Sequence, residues 1–247
     1  MSPFRIGVTI LAILALSLPA AAQLPGNNTL QGGYYFRYVG VNVSSTTDKA
    51  MGAVGTLTFD GNGGYQVTGQ QINSNGSGTD TNVSLSSSGK YQVLSNGVFT
   101  MASPFAQNVT LFGGVGRGPM IVASSTDFPY CDLFVAIPAS TTASNSTLSG
   151  TYYLGSIEFP AGNFAQTRNT FFPIAPDGRG GLGNVTISGT SINLKNAPTT
   201  QTSTGATYSV SANGTGTLTM PAPSGVPAAN QLFAGTKNLY VSPDGNV

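Results

Sequence analysis

The chain of 247 residues has no His, no Trp and one Cys, Cys131. Without His, a Ser-His-Asp or Cys-His catalytic unit is excluded. Imidazole-based zinc sites go with it, and one thiolate cannot build a sulfur cluster. One Cys also forbids an internal disulfide. Cys131 sits in FPYCDLFVAIP, against an apolar run, and reads as a buried small hydrophobe; the alternative is an intermolecular disulfide. Charge is scarce too, with Asp, Glu, Lys and Arg making up 7% of the chain. A nucleic-acid partner needs a basic stripe that releases phosphate counterions, and the sequence has none. Glu158 is the only Glu, and Asp60, Asp177 and Asp244 each precede a Gly, as turn residues do. Paired carboxylates for hydrolysis are therefore in short supply. Glu158 and Asp132 are the residues a carboxylate-based hydrolase would have to use. The residues imply no cofactor and no catalytic group, so the chain is expected not to be an enzyme.

What is present begins with a leader. Arg5 is followed by the uncharged apolar stretch Ile6–Leu18, then Pro19 and Ala20-Ala21-Ala22 before Gln23. A positive start, a short apolar run and a small-residue cleavage site make a secretory signal peptide over residues 1–22. The run is shorter than the roughly 20 residues a membrane span requires. No later stretch offers a transmembrane helix. Export to the periplasm, cell surface or medium is the expected localisation. Without Arg5 the basic residues equal the eight acidic ones, so solubility rests on Ser, Thr, Asn, Gln and Gly.

A repeat organises the remainder. LQGGYYFRYVG, from Leu30, matches LSGTYYLGSIEF, from Leu148, with Tyr34-Tyr35 answering Tyr152-Tyr153 at an offset of 118. FDGNGG at Phe59 matches PDGRGG at Pro176 at 117. Tyr91 answers Tyr208, and Asn96-Gly97 answers Asn213-Gly214, again at 117. Leu111-Phe112 reads against Leu232-Phe233 at 121. These landmarks define a β-unit at 29–139, a linker at 140–146 and a second β-unit at 147–247. The first unit runs on through DLFVAIP, whereas the second reaches KNLYVSPDGNV and a turn signal. The second copy is expected to be truncated, leaving an edge open to pairing with another chain.

Gly and Pro punctuate short runs rich in Val, Thr, Tyr and Phe, which is an all-β pattern. Leu57 and Phe59 alternate with Thr56 and Thr58, and Tyr65 and Val67 with Gln66 and Thr68. Such strands bury one face and wet the other. Leu133, Val135 and Ile137, with Phe134 and Ala136 between them, read as buried on both faces. The architecture expected is antiparallel hairpin or meander units in two tandem copies, the second incomplete; the units are barrel-like, with a pair of sandwiches as the alternative. A sandwich would use INSNGSGTDTNVSLSSS as its crossing connection. The phrases GYYFRYVG, GAVGTLTFDGNGGYQVTG and LFAGTKNLYVSPDGN resemble a group of exported, Gly/Ser/Thr-rich bacterial β-proteins with a G-x-Y-x-F … F-D-G-x-G pattern, often in tandem. The resemblance implies export and a β fold, and carries no activity or catalytic residue. Copy two departs from it at Pro173 and Pro176, which puts the pairing of its second strand in question.

FDGNGG could hold calcium through Asp60 and Asn62, but it lacks the later acids such loops use, and reads as a hairpin turn. The candidate ligand-binding residues are Tyr34, Tyr35, Tyr152 and Tyr153. Adjacent residues on a strand point to opposite faces, so one ring of each pair is offered outward. Exposed Tyr among amides suits a glycan or a protein at the cell surface. The leading expectation is a surface, adhesion or matrix-type module. The second is an outer-membrane-associated β-barrel, and the third is the hydrolase.

Overall fold

The computed structural model describes residues 25–42, 49–74, 80–125 and 130–247; the expected leader lies outside them. The chain is all-β, in two antiparallel units. The first is a closed barrel of β1 (Gln31–Asn42), β2 (Lys49–Asp60), β3 (Gly64–Ser74), β4 (Asp80–Val93), β5 (Val98–Ala102), β6 (Thr110–Val115), β7 (Ile121–Ser125) and β8 (Tyr130–Pro138). Strands pair in chain order, and β8 returns to β1 from Tyr34↔Pro138 to Asn42↔Tyr130. The second is an open six-stranded sheet of β9 (Tyr152–Glu158), β10 (Arg168–Ile174), β11 (Gly181–Ser191), β12 (Thr199–Val210), β13 (Thr215–Met220) and β14 (Gly235–Tyr240). β9 and β14 are its edges.

Period-two alternation puts the apolar side chains inside. Tyr34, Phe36, Leu57, Phe59, Phe99, Met101, Leu111 and Phe134 are buried in the barrel, while Thr56, Thr58, Gln66, Thr68, Ser86, Ser88 and Gln92 face out. Thr56 and Thr68 join hydroxyls across β2 and β3 at 2.9 Å. Closure requires the sheet to bend, and glycine supplies the bend where Gly55 faces Gly69. A Cβ on Gly55 would lie 2.1 Å from the Thr68 carbonyl oxygen.

The two units are built on the same contacts. Asn27, in a 3-10 turn before β1, accepts the Val93 N–H through Oδ1 at 2.7 Å; Asn145 accepts that of Val210 at 2.8 Å. The Tyr91 hydroxyl donates to the Asn27 and Leu30 carbonyls, and the Tyr208 hydroxyl to those of Asn145 and Leu148. In the last strand the structure departs from the sequence match. Leu111 pairs with Met101, and in the second unit Lys237 pairs with Leu218. Lys237, not Leu232, therefore stands where Leu111 stands. A longer connection before β14 carries Leu232 and Phe233, which bury themselves from a loop and keep the apolar volume while leaving the strand.

Three further readings change. The polar run expected as a crossing connection is part of a hairpin, β3 pairing with β4 out to Ser74↔Asp80. Cys131 is exposed, not buried. Leu133 is exposed as well, because odd positions of β8 face outward, whereas Phe134 and Ala136 fill the barrel. Ile137, opposite Tyr35, is covered on the side where the units meet. Pro173 stays within β10, which pairs with β9 along its whole length but with β11 only over Arg168–Thr170. Proline has no N–H for a second ladder.

Candidate functional site

The four candidate tyrosines take four different places. Tyr34 is 2% exposed and packs edge-on against Phe59 at 5.1 Å. Burial, and then the neighbouring Tyr91, push its phenol up to about 12. Tyr35 points out of the barrel but into the other unit: it stacks on Tyr240 at 4.8 Å and donates to the Asn213 carbonyl at 3.0 Å. Burial and Tyr240 raise its pKa. Tyr152 is half-buried at the edge of the second core. Tyr153 is 69% exposed.

Tyr153 is not alone. Phe171, on β10, is 65% exposed and lies parallel to it, with centroids 5.7 Å apart and planes 9° from parallel. Strand pairing makes the platform. Tyr153 faces Pro173, and Gly155 faces Phe171, so no side chain rises between the rings. A Cβ on Gly155 would lie 3.7 Å from the Phe171 ring. Exposed Ile157 extends the surface, and Asn169, which accepts from the Thr190 hydroxyl at 3.2 Å, gives it a polar border. Phe171 was not among the candidates. Its signal is the doublet Phe171-Phe172, which splits inward and outward as the Tyr doublets do; only the β9–β10 register shows which ring it meets.

A second feature lies between the edges of the open sheet. An apolar cavity of ≈ 330 Å³ is lined by Leu148, Tyr152, Leu154, Leu218 and Leu239, with Met120 of the first unit in its wall. At the other end of β9 the edges are tied together. Glu158 takes Arg168 of β10 at 2.8 Å on one oxygen and Lys237 of β14 on the other. Asp132 is likewise engaged, accepting from the Tyr38 hydroxyl, the Ser124 hydroxyl and the Ser125 N–H. The two carboxylates named for hydrolysis thus sit in separate units, each held by partners.

The Asp-Gly loops use their carboxylates on their own backbone. Asp60 Oδ1 accepts the N–H groups of Asn62 and Gly64 at 2.7 and 2.8 Å, and Asp177 Oδ1 those of Arg179 and Gly181 at 2.7 and 2.9 Å. These bonds favour the ionised form and hold both carboxyls below the usual range. Gly61 and Gly63 have φ of +74° and +103°, the left-handed backbone the turn requires. Among the described residues, no three His, Cys, Asp or Glu gather as metal ligands, and no helix is long and apolar enough to cross a membrane. Comparison with protein-family models, curated proteins and solved structures finds no match.

Proposed function

We propose that this is an exported, non-enzymatic binding module of surface, adhesion or matrix type, and that Tyr153 and Phe171 form its contact surface for a glycan. The stacked, exposed pair carries the reading. Two large rings held parallel on a rigid sheet lose little freedom on binding and leave an apolar face in water at a standing cost. A sugar ring offers C–H groups to such a face and hydroxyls to a border such as Asn169. The resemblance to exported tandem β-proteins fits the same role.

The barrel's aromatic interior, and an outer face that carries Thr56, Thr58, Gln66, Thr68, Ser86, Ser88 and Gln92 beside Phe112, Val122 and Leu133, weigh against the membrane-barrel alternative, since a membrane barrel wears a continuous apolar band outside. The test is a glycan screen of the secreted chain, followed by titration of the best ligand. Tyr153→Ser and Phe171→Ser each weaken binding at least about tenfold, the loss of roughly 1.4 kcal/mol of stacking. No binding to glycans, cells or proteins, together with measurable turnover of any substrate, would refute the reading.

A further inference from the structure

Past Met101 the first unit opens where the second stays closed. β4 pairs with β5 from Tyr91↔Met101 to Val93↔Phe99, whereas the matching ladder of β12 and β13 runs one pair further, to Thr207↔Thr219. In the first unit that next pair, Lys90 with Ala102, is not made, and the Ala102 carbonyl takes the Tyr65 hydroxyl at 2.6 Å. The parting leaves a cleft of ≈ 530 Å³, with Asn27, Asn62, Lys90, Gln92, Thr100 and Thr110 around it. The two units also differ in what their polar groups do there. In the second, the hydroxyls of Ser209 and Thr217 join at 2.9 Å and those of Thr219 and Thr236 at 3.3 Å, and Asn145 Nδ2 donates to the Arg179 carbonyl at 3.2 Å. By register and repeat, the first unit has Gln92, Thr100, Ala102, Thr110 and Asn27 in those places. Among the described residues, the side chains of Gln92, Thr100 and Thr110 make no hydrogen bond, and Asn27 uses its Oδ1 alone, on the Val93 N–H. Lys90 makes no ion pair, although its charge helps to lower the Asp60 carboxyl. The backbone beneath these groups is fixed by strands and by the turn that Asp60 Oδ1 closes on Asn62 and Gly64.

We propose that this cleft binds a neutral saccharide, through hydrogen bonds and not through ring stacking. Asn62 and Gln92 offer amide N–H groups and oxygens, Asn27 its amide N–H groups, and Thr100 and Thr110 hydroxyls. A ligand that answers donors and acceptors together in one small volume carries several hydroxyls of its own. Lys90 adds a donor, and Asp60 at the rim balances its charge, so the cleft does not select an anion. Saccharide hydroxyls replace the waters on these side chains bond for bond. The volume falls within the roughly 300–1,000 Å³ of small-ligand sites. The site goes beyond the contact surface of Tyr153 and Phe171: it lies on the other unit, and each stands or falls without the other.

The probes are four neutral trisaccharides, of glucose in α- and in β-linkage, of mannose and of N-acetylglucosamine. Each is titrated to about 20 mM into the Tyr153→Ser, Phe171→Ser double variant, which lacks the aromatic platform. At least one binds with a Kd of about 5 mM or tighter and shifts the amide resonances of Lys90, Gln92, Thr100 and Thr110. Adding Gln92→Ala weakens that ligand roughly 3- to 10-fold. Adding Lys90→Thr, Gln92→Ser and Ala102→Thr, which gives the first unit the outward residues of the second, abolishes the binding. If this triple change loses the fold, Gln92→Ala, at one exposed position, decides. No shift at these amides with any of the four overturns the proposal and leaves the cleft a hydrated groove. So does binding that Gln92→Ala leaves unchanged. Binding by the parent chain that vanishes in the platform double variant also overturns it, and belongs to Tyr153 and Phe171. Tighter binding of trigalacturonate than of all four, lost in salt, overturns the assignment of a neutral ligand.

Discussion

Removing the hydroxyl of Tyr91 and that of Tyr208, one at a time, compares the two units at a single atom. Each phenol is 5% exposed and shares its one proton between two carbonyl oxygens. The distances are 2.9 and 3.0 Å in the barrel, and 3.0 and 3.2 Å in the open sheet. The Asn27 and Asn145 carbonyls keep another donor, the N–H of Leu30 or Leu148. The carbonyls of buried Leu30 and Leu148 lose this one. A lost hydrogen bond that strands a buried acceptor costs about 1–3 kcal/mol. In a unit of about a hundred residues, that lowers the Tm by roughly 5–15 °C. Calorimetry and urea titration of Tyr91→Phe, Tyr208→Phe and the double variant measure it. The two sites share no partner, so their effects add to within about 0.5 kcal/mol. A cost below about 0.5 kcal/mol at either site, or a difference between them above about 1 kcal/mol, refutes the claim that one anchor serves both units.

The other predictions follow from the bends, the core and the titrating groups. Gly55→Ala forces a Cβ to 2.1 Å from the Thr68 carbonyl oxygen, and overpacking of that kind costs about 1–3 kcal/mol in urea titration. Phe134→Ala empties a fully buried site beside Phe36 and costs about 3–5 kcal/mol, seen as a lower Tm of the barrel transition. Asp60 and Asp177 have lowered folded pKa values, so their contribution is present above the unfolded carboxylate range and lost as pH falls through the folded values. The Tm falls on acidification, and falls less in the Asp60→Ala, Asp177→Ala double variant. Tyr34 and Tyr65 are both raised by burial to about 12, so stability present below the unfolded tyrosine range of about 10 is lost as pH rises toward 12. Phenolate absorbance lags for these two groups until the barrel opens.

What could be read from the sequence was whatever one face of a strand and one turn decide. Leu57, Phe59, Tyr65 and Val67 alternate because each strand buries one side, and Asp60 closes its turn on its own neighbours, so neither needs the rest of the chain. The first part of β4 escaped because Asp80–Ser84 lie exposed on both faces; pairing with β3 makes Asp80–Ser88 a strand, and pairing leaves no hydrophobic period. Cys131 and Leu133 misled for the opposite reason, being apolar side chains on the outer face of an otherwise period-two strand.

The site is less legible than the fold because it is made between strands. Tyr35 and Tyr153 hold equivalent positions in the repeat, yet one is stacked on Tyr240 of the other unit and the other lies exposed beside Phe171 of its own sheet. No property of the Tyr-Tyr doublet separates them; the docking of one unit on the other does. Phe171 joins Tyr153 only because Gly155 faces it across the ladder. Lys237 in the place of Leu111 has a further consequence. The core of the second unit takes Leu232 and Phe233 from a loop, and its last strand is left free to ion-pair with Glu158. The same displacement that blurred the repeat at its end thus ties β14 to β9 at Glu158.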